Sequence, residues 1–310
     1  MSMVGLGRYP VTAGLLAINI VAFVLQQVPG LNLTFWGANI GPLTLRGEYW
    51  RLFTAGFLHG GILHIALNMW CLLSLGRLSE RLFGKWQTFM IYMLTGVGGA
   101  LLSIAYEPTR YSLGASGAIF GIVGAVMAGV KFGDLNISAG EKRAIFSSVV
   151  SFAVLNFVLG MSSSGMFGNV DNMCHLGGFV SGLLLGLPLG AFARKHQLLQ
   201  LATVVITGLV LFAAGHELVQ THSAPAQKGI AKLAERQGDY RTAAQYMEAY
   251  AKDNPQDDEA LLDLGKYYVL MNQRDNAVNA FQRALKANPS SDLAKEALES
   301  LDAPPQPEKK

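Results

Sequence analysis

Cysteine and charge are the two things this chain has little of. Its two cysteines, Cys71 and Cys174, each lie in or beside an apolar run with no second cysteine at metal-ligand spacing. That excludes a thiol-built metal centre and leaves two buried, inert thiols. Charged residues make up 15% of the 310, against 51% hydrophobic, which is the balance of a chain that lives largely in lipid. The formal net charge of +3 hides an uneven spread. Through Leu218 there are 12 Lys and Arg against 7 Asp and Glu, and from Val219 onward 12 against 14. No basic face for nucleic acid emerges, and the two parts belong in different solvents.

Crossing the roughly 30 Å of bilayer hydrocarbon takes about 20 helical residues. Seven apolar runs approach or reach that length: Val11 to Val28, Gly61 to Leu78, Trp86 to Tyr106, Ser116 to Val130, Ala144 to Gly160, Asn172 to Phe192, and Gln197 to Gly215. The fourth is the shortest. The first lacks a small-x-small cleavage pattern before Pro29, so it is kept as a span and not as a signal peptide. Cytoplasmic loops retain positive charge. An N-terminus inside puts Arg8, Arg77, Arg81, Lys85, Lys131, Lys142, Arg143, Arg194 and Lys195 on the inner side and only Arg46, Arg51 and Arg110 outside. Seven spans then carry the C-terminal part outside. The expected location is a plasma or inner membrane.

The loop from Pro29 to Gly60 carries Trp36, Tyr49, Trp50 and Phe57, residues that favour the headgroup layer; it reads as an interfacial loop or a substrate gate. Beyond His216 a repeat appears. Leu264-Gly265-x-x-Tyr268, Ala277, Phe281, Ala284 and Pro289 fit the tetratricopeptide pattern of paired helices. About 34 residues earlier, Ala243, Met247, Tyr250 and Pro255 repeat it, with Ile230-Ala231 in place of Leu-Gly. Asp292 to Leu301 reads as a capping helix and Pro304 to Lys310 as a disordered tail.

Three local signals carry candidate chemistry. Gly114-Ala115-Ser116-Gly117 stands where an outer loop enters the fourth span, so Ser116 exposes its backbone N–H at a helix N-terminus, where developing negative charge is favoured. The same small residues also suit a packing face, with Gly117, Gly121 and Gly124 letting helices approach. His175 begins a run in which Gly178, Gly182 and Gly186 recur every fourth residue. An ionisable residue there is either functional or bonded to a backbone carbonyl. His64 and Asn68, spaced i and i+4, share one face of the second span and suit either oxyanion donation or interhelical bonding. Depth links the three. The second, fourth and sixth spans run the same way, so all four residues fall within about 10 Å of the outer helix ends. That shared level favours chemistry over packing.

From about Pro10 to Arg194 the chain resembles the rhomboid family of intramembrane serine proteases. The resemblance rests on Trp50-Arg51, His64-x-x-x-Asn68, Gly76-x-x-x-Glu80-x-x-x-Gly84, the Ser116 segment and His175. It implies a Ser116–His175 dyad without a third acid. The Ser116 N–H, His64 and Asn68 would hold the oxyanion, Phe120 would pack on the imidazole, and no metal or cofactor is needed. His59 reads as a loop or interface histidine, Asp171 as a helix-start residue, and Glu80 as bonding a helix end near the inner face.

The fold expected is therefore all-α: a polytopic bundle over residues 1–218, a tetratricopeptide-repeat domain over 219–303, and a tail over 304–310. The expected activity is cleavage of membrane-protein segments near the extracytoplasmic face, with the lipid bilayer as surroundings and protein adaptors or substrates at the repeats. The competing readings are a catalytically silent rhomboid-like scaffold for client helices and a small-solute transporter; the latter calls for inverted repeats and mid-membrane broken helices, which the sequence does not display.

Overall fold

The computed structural model describes residues 7–161, 170–191, 196–221 and 223–302. Arg194, Lys195 and the tail 304–310 lie outside that set. The described chain is all-α apart from one pair of two-residue strands. It divides into two compact units, Met1–Gln220 and Thr221–Lys310.

In the first unit, each of the seven apolar runs forms a helix, with Gln27, Val28 and Gly61 at the run ends left out of it and Phe192 outside the described residues. They form α1 (Pro10–Gln26), α5 (Ile62–Leu82), α6 (Lys85–Tyr106), α7 (Ser116–Phe132), α8 (Ala139–Met161), α9 (Asn172–Ala191) and α10 (Gln197–Thr221). By length and hydropathy α5, α6, α9 and α10 are long and apolar enough to cross a membrane, while α1 and α7 are shorter apolar helices. The shortness of α7 has a physical reason. Every residue from Gly117 to Val126 is buried, so the helix stands among protein neighbours and has little lipid to match. At the other extreme, α10 buries only Gln200 and Val204 and is tied to α6 by a Gln87 Nε2 to Gln200 Oε1 hydrogen bond of 2.7 Å.

Backbone proximity sets the central packing. Side-chain carbons added at Gly178, Gly182 and Gly186 of α9 would collide with the carbonyls of Gly117, Gly121 and Ala125 on α7. The four-residue glycine period is thus a seam that lets two helix backbones touch. On its other flank α9 meets α6: a carbon at Gly99 would lie 2.6 Å from the Cys174 carbonyl oxygen, and one at Gly177 2.7 Å from that of Gly98. The N-terminus of α1 is capped from a distance. Pro10 has no N–H to satisfy, and Glu80 in the last turn of α5 accepts from Val11 N at 3.2 Å, Thr12 N at 2.9 Å and Thr12 Oγ1 at 2.9 Å. A carboxylate at a helix N-terminus is favoured by the exposed donors and the dipole.

The loop between α1 and α5 folds into three short helices, α2 (Leu33–Gly37), α3 (Gly41–Leu45) and α4 (Arg51–Thr54), with strand β1 (Asn39–Ile40) pairing antiparallel to β2 (Tyr111–Ser112). Arg51 is its pin. The side chain is fully buried, with Nη1 donating to the carbonyls of Phe35 at 2.6 Å and Ala38 at 2.9 Å and Nη2 paired to Glu48 at 2.6 Å. Trp36, Tyr49, Trp50 and Phe53 remain exposed.

The second unit stacks α11 (Ser223–Arg236), α12 (Tyr240–Asp253), α13 (Asp258–Leu270), α14 (Arg274–Ala287) and α15 (Asp292–Asp302). Its core holds Ala231, Ala243, Met247, Leu264 and Ala280. Gly265 is small because the Phe281 ring fills the space a side chain there would need. The first helices of the two pairs are joined by Lys228–Asp257 at 2.9 Å, Lys232–Asp263 at 2.6 Å and Lys266–Glu235 at 2.6 Å.

Candidate active site

The candidate residues gather at one end of the first unit, where the starts of α5, α7 and α9 meet. Hydrogen bonds between loops fix that level. Gly114 N donates to the Ala55 carbonyl at 2.9 Å, Gly41 N to that of Arg110 at 2.8 Å, and Ser103 Oγ at the end of α6 to Asp171 Oδ2 at 2.5 Å.

Ser116 is the first residue of α7 and is half-buried. Just before it, Gly114 has φ of +129°, a conformation that residues with a Cβ rarely adopt. A carbon added there would lie 2.8 Å from both Cε1 and Nε2 of His64 and 3.9 Å from Ser116 Oγ. One atom would touch both groups, so the His64 edge and the Ser116 hydroxyl border the same small space, kept open by the missing side chain.

His64 has its tautomer set by its surroundings. Gly60 N–H donates to His64 Nδ1 at 3.3 Å. With Nδ1 accepting, the neutral ring carries its proton on Nε2, the atom that faces Gly114. One turn along α5, the buried Asn68 donates from Nδ2 to the His64 carbonyl at 3.0 Å, a bond within its own helix. Its amide nitrogen carries a second N–H.

His175 stands in the first turn of α9, buried, with its ring stacked on Phe120 at a centroid distance of 4.4 Å and an interplanar angle of 12°. Its Nδ1 has no hydrogen-bond partner among the described residues. The first turns of α7 and α9 are in direct apposition: a carbon at Gly117 would lie 2.7 Å from Cys174 Sγ. Ser116 and His175 thus flank the mouth of the glycine seam. No hydrogen bond joins Ser116 Oγ to the His175 ring among the described residues; such bonds are often loose before substrate arrives. Asp171 is engaged elsewhere. Its Oδ1 accepts from Cys174 N at 3.0 Å, capping α9, and its Oδ2 takes the Ser103 hydroxyl.

His59, read from the sequence as a loop or interface histidine, is only 2% exposed. Its ring meets that of His64 edge-on, with centroids 5.1 Å apart. Burial, reinforced by the neighbouring His64 and partly offset by the Phe57 carbonyl, lowers its pKa to about 4. The ring is therefore neutral in neutral solution. Nothing in the spacing of a loop residue announces such burial; only the five-residue offset from His64 hinted at proximity. Among the described residues, no group of three or more His, Cys, Asp or Glu side chains is arranged to hold a metal ion.

Comparison with known proteins bears on the whole arrangement. Residues 46–192 match the Rhomboid domain and residues 234–301 a tetratricopeptide repeat. The chain is 30% identical over 297 residues to Rhomboid protease GluP of Bacillus subtilis (strain 168), covering 91% of this chain and 55% of that protein. It is 37% identical over 207 residues to RHOMBOID-like protein 1 of Arabidopsis thaliana, 60% of this chain and 51% of that one. It therefore spans about half the length of these two relatives. With Putative rhomboid protease YdcA of Bacillus subtilis (strain 168) it shares 32% identity over 183 residues, 57% of this chain and 87% of that one. Combining this likeness with the membrane-spanning helices and the stacked helix pairs, the chain is a membrane protein that belongs to the rhomboid family and carries tetratricopeptide repeats.

Proposed function

We propose that this chain is an intramembrane serine protease that cleaves membrane-protein segments near the extracytoplasmic face. The observation that carries the reading is the shared space at Gly114, bordered by His64 Nε2 and Ser116 Oγ, beside an imidazole held flat against Phe120. His175 takes the Ser116 hydroxyl proton as Oγ attacks the scissile carbonyl carbon. The carbonyl oxygen becomes an oxyanion that receives the Ser116 backbone N–H, His64 Nε2–H and the free Asn68 N–H. Collapse passes the proton from His175 to the leaving amine and leaves an acyl-enzyme. Water, deprotonated by His175, then releases the acid.

A helical substrate hides its carbonyls in its own hydrogen bonds, so segments that unwind readily, with Gly, Pro or polar residues near the outer surface, are the substrates this chemistry favours. In this reading residues 1–218 form the proteolytic unit and residues 219–303 a repeat domain that holds adaptors or substrates outside. The N-terminus is cytoplasmic, and the membrane is the plasma or inner membrane.

Two variants, Ser116→Ala and His175→Ala, test the reading. Each is expected to lower formation of membrane-protein fragments by at least about a thousandfold and to abolish labelling by a fluorophosphonate probe. Fragments and labelling unchanged in Ser116→Ala would remove Ser116 as the nucleophile, and a parent chain that gives neither would be a scaffold for client helices in place of a protease.

A further inference from the structure

Behind His64 stands a connection that starts on a different helix. The amide of Gln26, in the last turn of α1, grips the backbone of His59 from both sides: Oε1 accepts the His59 N–H at 3.0 Å, and Nε2 donates to the His59 carbonyl at 3.2 Å. The same Nε2 donates to Thr34 Oγ1 at 2.8 Å. The amide orientation follows from its partners, because the reverse assignment would set carbonyl against carbonyl and N–H against N–H.

The His59 carbonyl and the Gly60 N–H belong to one peptide group. That group is planar and trans, so its oxygen and hydrogen point in opposite directions. Fixing the oxygen fixes the hydrogen. With its oxygen held by Gln26, the plane directs the Gly60 N–H to His64 Nδ1 at 3.3 Å. Donation to the carbonyl also polarises the amide and strengthens its N–H as a donor. The connection therefore runs from Gln26 Nε2–H through the 59–60 peptide to His64 Nδ1, and ends in a ring whose Nε2 borders the space at Gly114 that Ser116 Oγ also borders. His59 contributes a second restraint, its ring lying edge-on to that of His64.

We infer that Gln26 is a positioning residue for the reaction, holding His64 in the Nε2–H tautomer and in the ring orientation that donates to the oxyanion. This rests on the proposed role of His64. Gln26 does not itself touch the reacting atoms. It acts only through the 59–60 peptide, and that dependence separates it from a residue that merely stabilises the end of α1.

The test uses the full-length chain in detergent and the rate at which a fluorophosphonate labels Ser116. In that reaction Oγ attacks phosphorus as His175 takes the hydroxyl proton, fluoride leaves, and the phosphoryl oxygen occupies the oxyanion position. Gln26→Met keeps the length of the side chain and removes both the donor and the acceptor. It is expected to slow labelling about tenfold, the scale of one hydrogen bond. His64→Ala is expected to slow it by about a hundredfold or more, as loss of one oxyanion donor does. The deciding measurement is Gln26→Met in the His64→Ala background, where a residue acting through His64 has nothing left to act on and the rate is expected to change less than twofold. An equal tenfold loss in both backgrounds, or parent-rate labelling by Gln26→Met, overturns the inference while leaving His64 its role. Parent-rate labelling by His64→Ala overturns the role of His64 itself, and the inference with it. Nitrogen NMR of 15N-histidine-labelled protein gives an independent readout. The His64 resonances, assigned by their loss in His64→Ala, are expected to report Nε2–H in the parent and a tautomer mixture in Gln26→Met; an unchanged tautomer overturns the inference.

Discussion

An imidazole shut away beside a second imidazole resists protonation, and at His59 that resistance has a sign and a window. The folded chain keeps His59 neutral down to about pH 4, whereas in the unfolded chain it titrates near 6.5. The unfolded state therefore binds the proton first as acid is added. The stability this group contributes is complete above pH 6.5 and is lost as pH falls from 6.5 towards 4. The thermal midpoint of the detergent-solubilised chain is expected to fall over that window. His59→Gln is expected to flatten that part of the profile, and identical slopes in the two proteins would remove His59 as its source. The burial of His59 was hidden in the sequence because it arises from packing between distant segments, such as the one that brings its backbone to Gln26 of α1, 33 residues away. His64, Asn68, Ser116 and His175 were legible as candidates for the opposite reason: each stands at a fixed offset from a helix start, and an offset of a few residues sets depth to within a few ångströms. Asp171 was legible too, since a residue of its type just before an apolar run marks a helix N-cap, and it caps α9.

Among the helices, the same substitution has opposite consequences depending on what its new carbon meets. Gly182→Ala in α9 puts a methyl against the Gly121 carbonyl, with backbone on both sides of the seam and no flexible side chain to yield. Overpacking of that kind costs about 1–3 kcal/mol. Gly208→Ala in α10 meets nothing within 4 Å and gains the helix preference of alanine, about 1 kcal/mol. Unfolding of the two variants is expected to move the midpoint down for Gly182→Ala and level or up for Gly208→Ala. Equal shifts would deny that α7 and α9 touch through their backbones. The seven long helices and the glycine period were legible because hydropathy and four-residue spacing are local signals. The short helices α2, α3 and α4 were not, since segments of 4–5 residues carry no period and are held from a distance, by Arg51 on the Phe35 and Ala38 carbonyls and by Gly41 N on that of Arg110. Glu80 illustrates the intermediate case. A carboxylate bonding a helix end could be expected, but the end it bonds belongs to α1, some 68 residues earlier in the chain.

For the molecule as a whole, the two ends of the helix bundle differ in how their charge is used. At the end that holds Ser116, two of the three arginines assigned there are ion-paired, Arg51 with Glu48 at 2.6 Å and Arg110 with Glu107 at 2.9 Å. The opposite end gathers the termini of α5, α7 and α9 with the starts of α6 and α8. Arg81 pairs with Glu141 at 2.8 Å there, Lys142 Nζ donates to the Gly133 carbonyl at 3.1 Å, and Asp134 N donates to that of Gly190 at 3.1 Å. The rule counts Lys and Arg and gives Asp and Glu little weight, so this pairing leaves the bias of the sequence as it stands, and the proposed orientation puts the opposite end in the cytoplasm. Under the proposed orientation, with α1 starting at the cytoplasmic end and all seven helices crossing, the repeats are expected outside. Ser290, exposed between α14 and α15, offers a reporter. In a Cys71→Ala background, with Cys174 buried, Ser290→Cys is expected to react with a membrane-impermeant maleimide on intact cells. Reaction only after the membrane is permeabilised would put the repeats in the cytoplasm. Either the charge rule would then be reversed in this chain or one of the seven helices, α7 or α1 by length, would not cross.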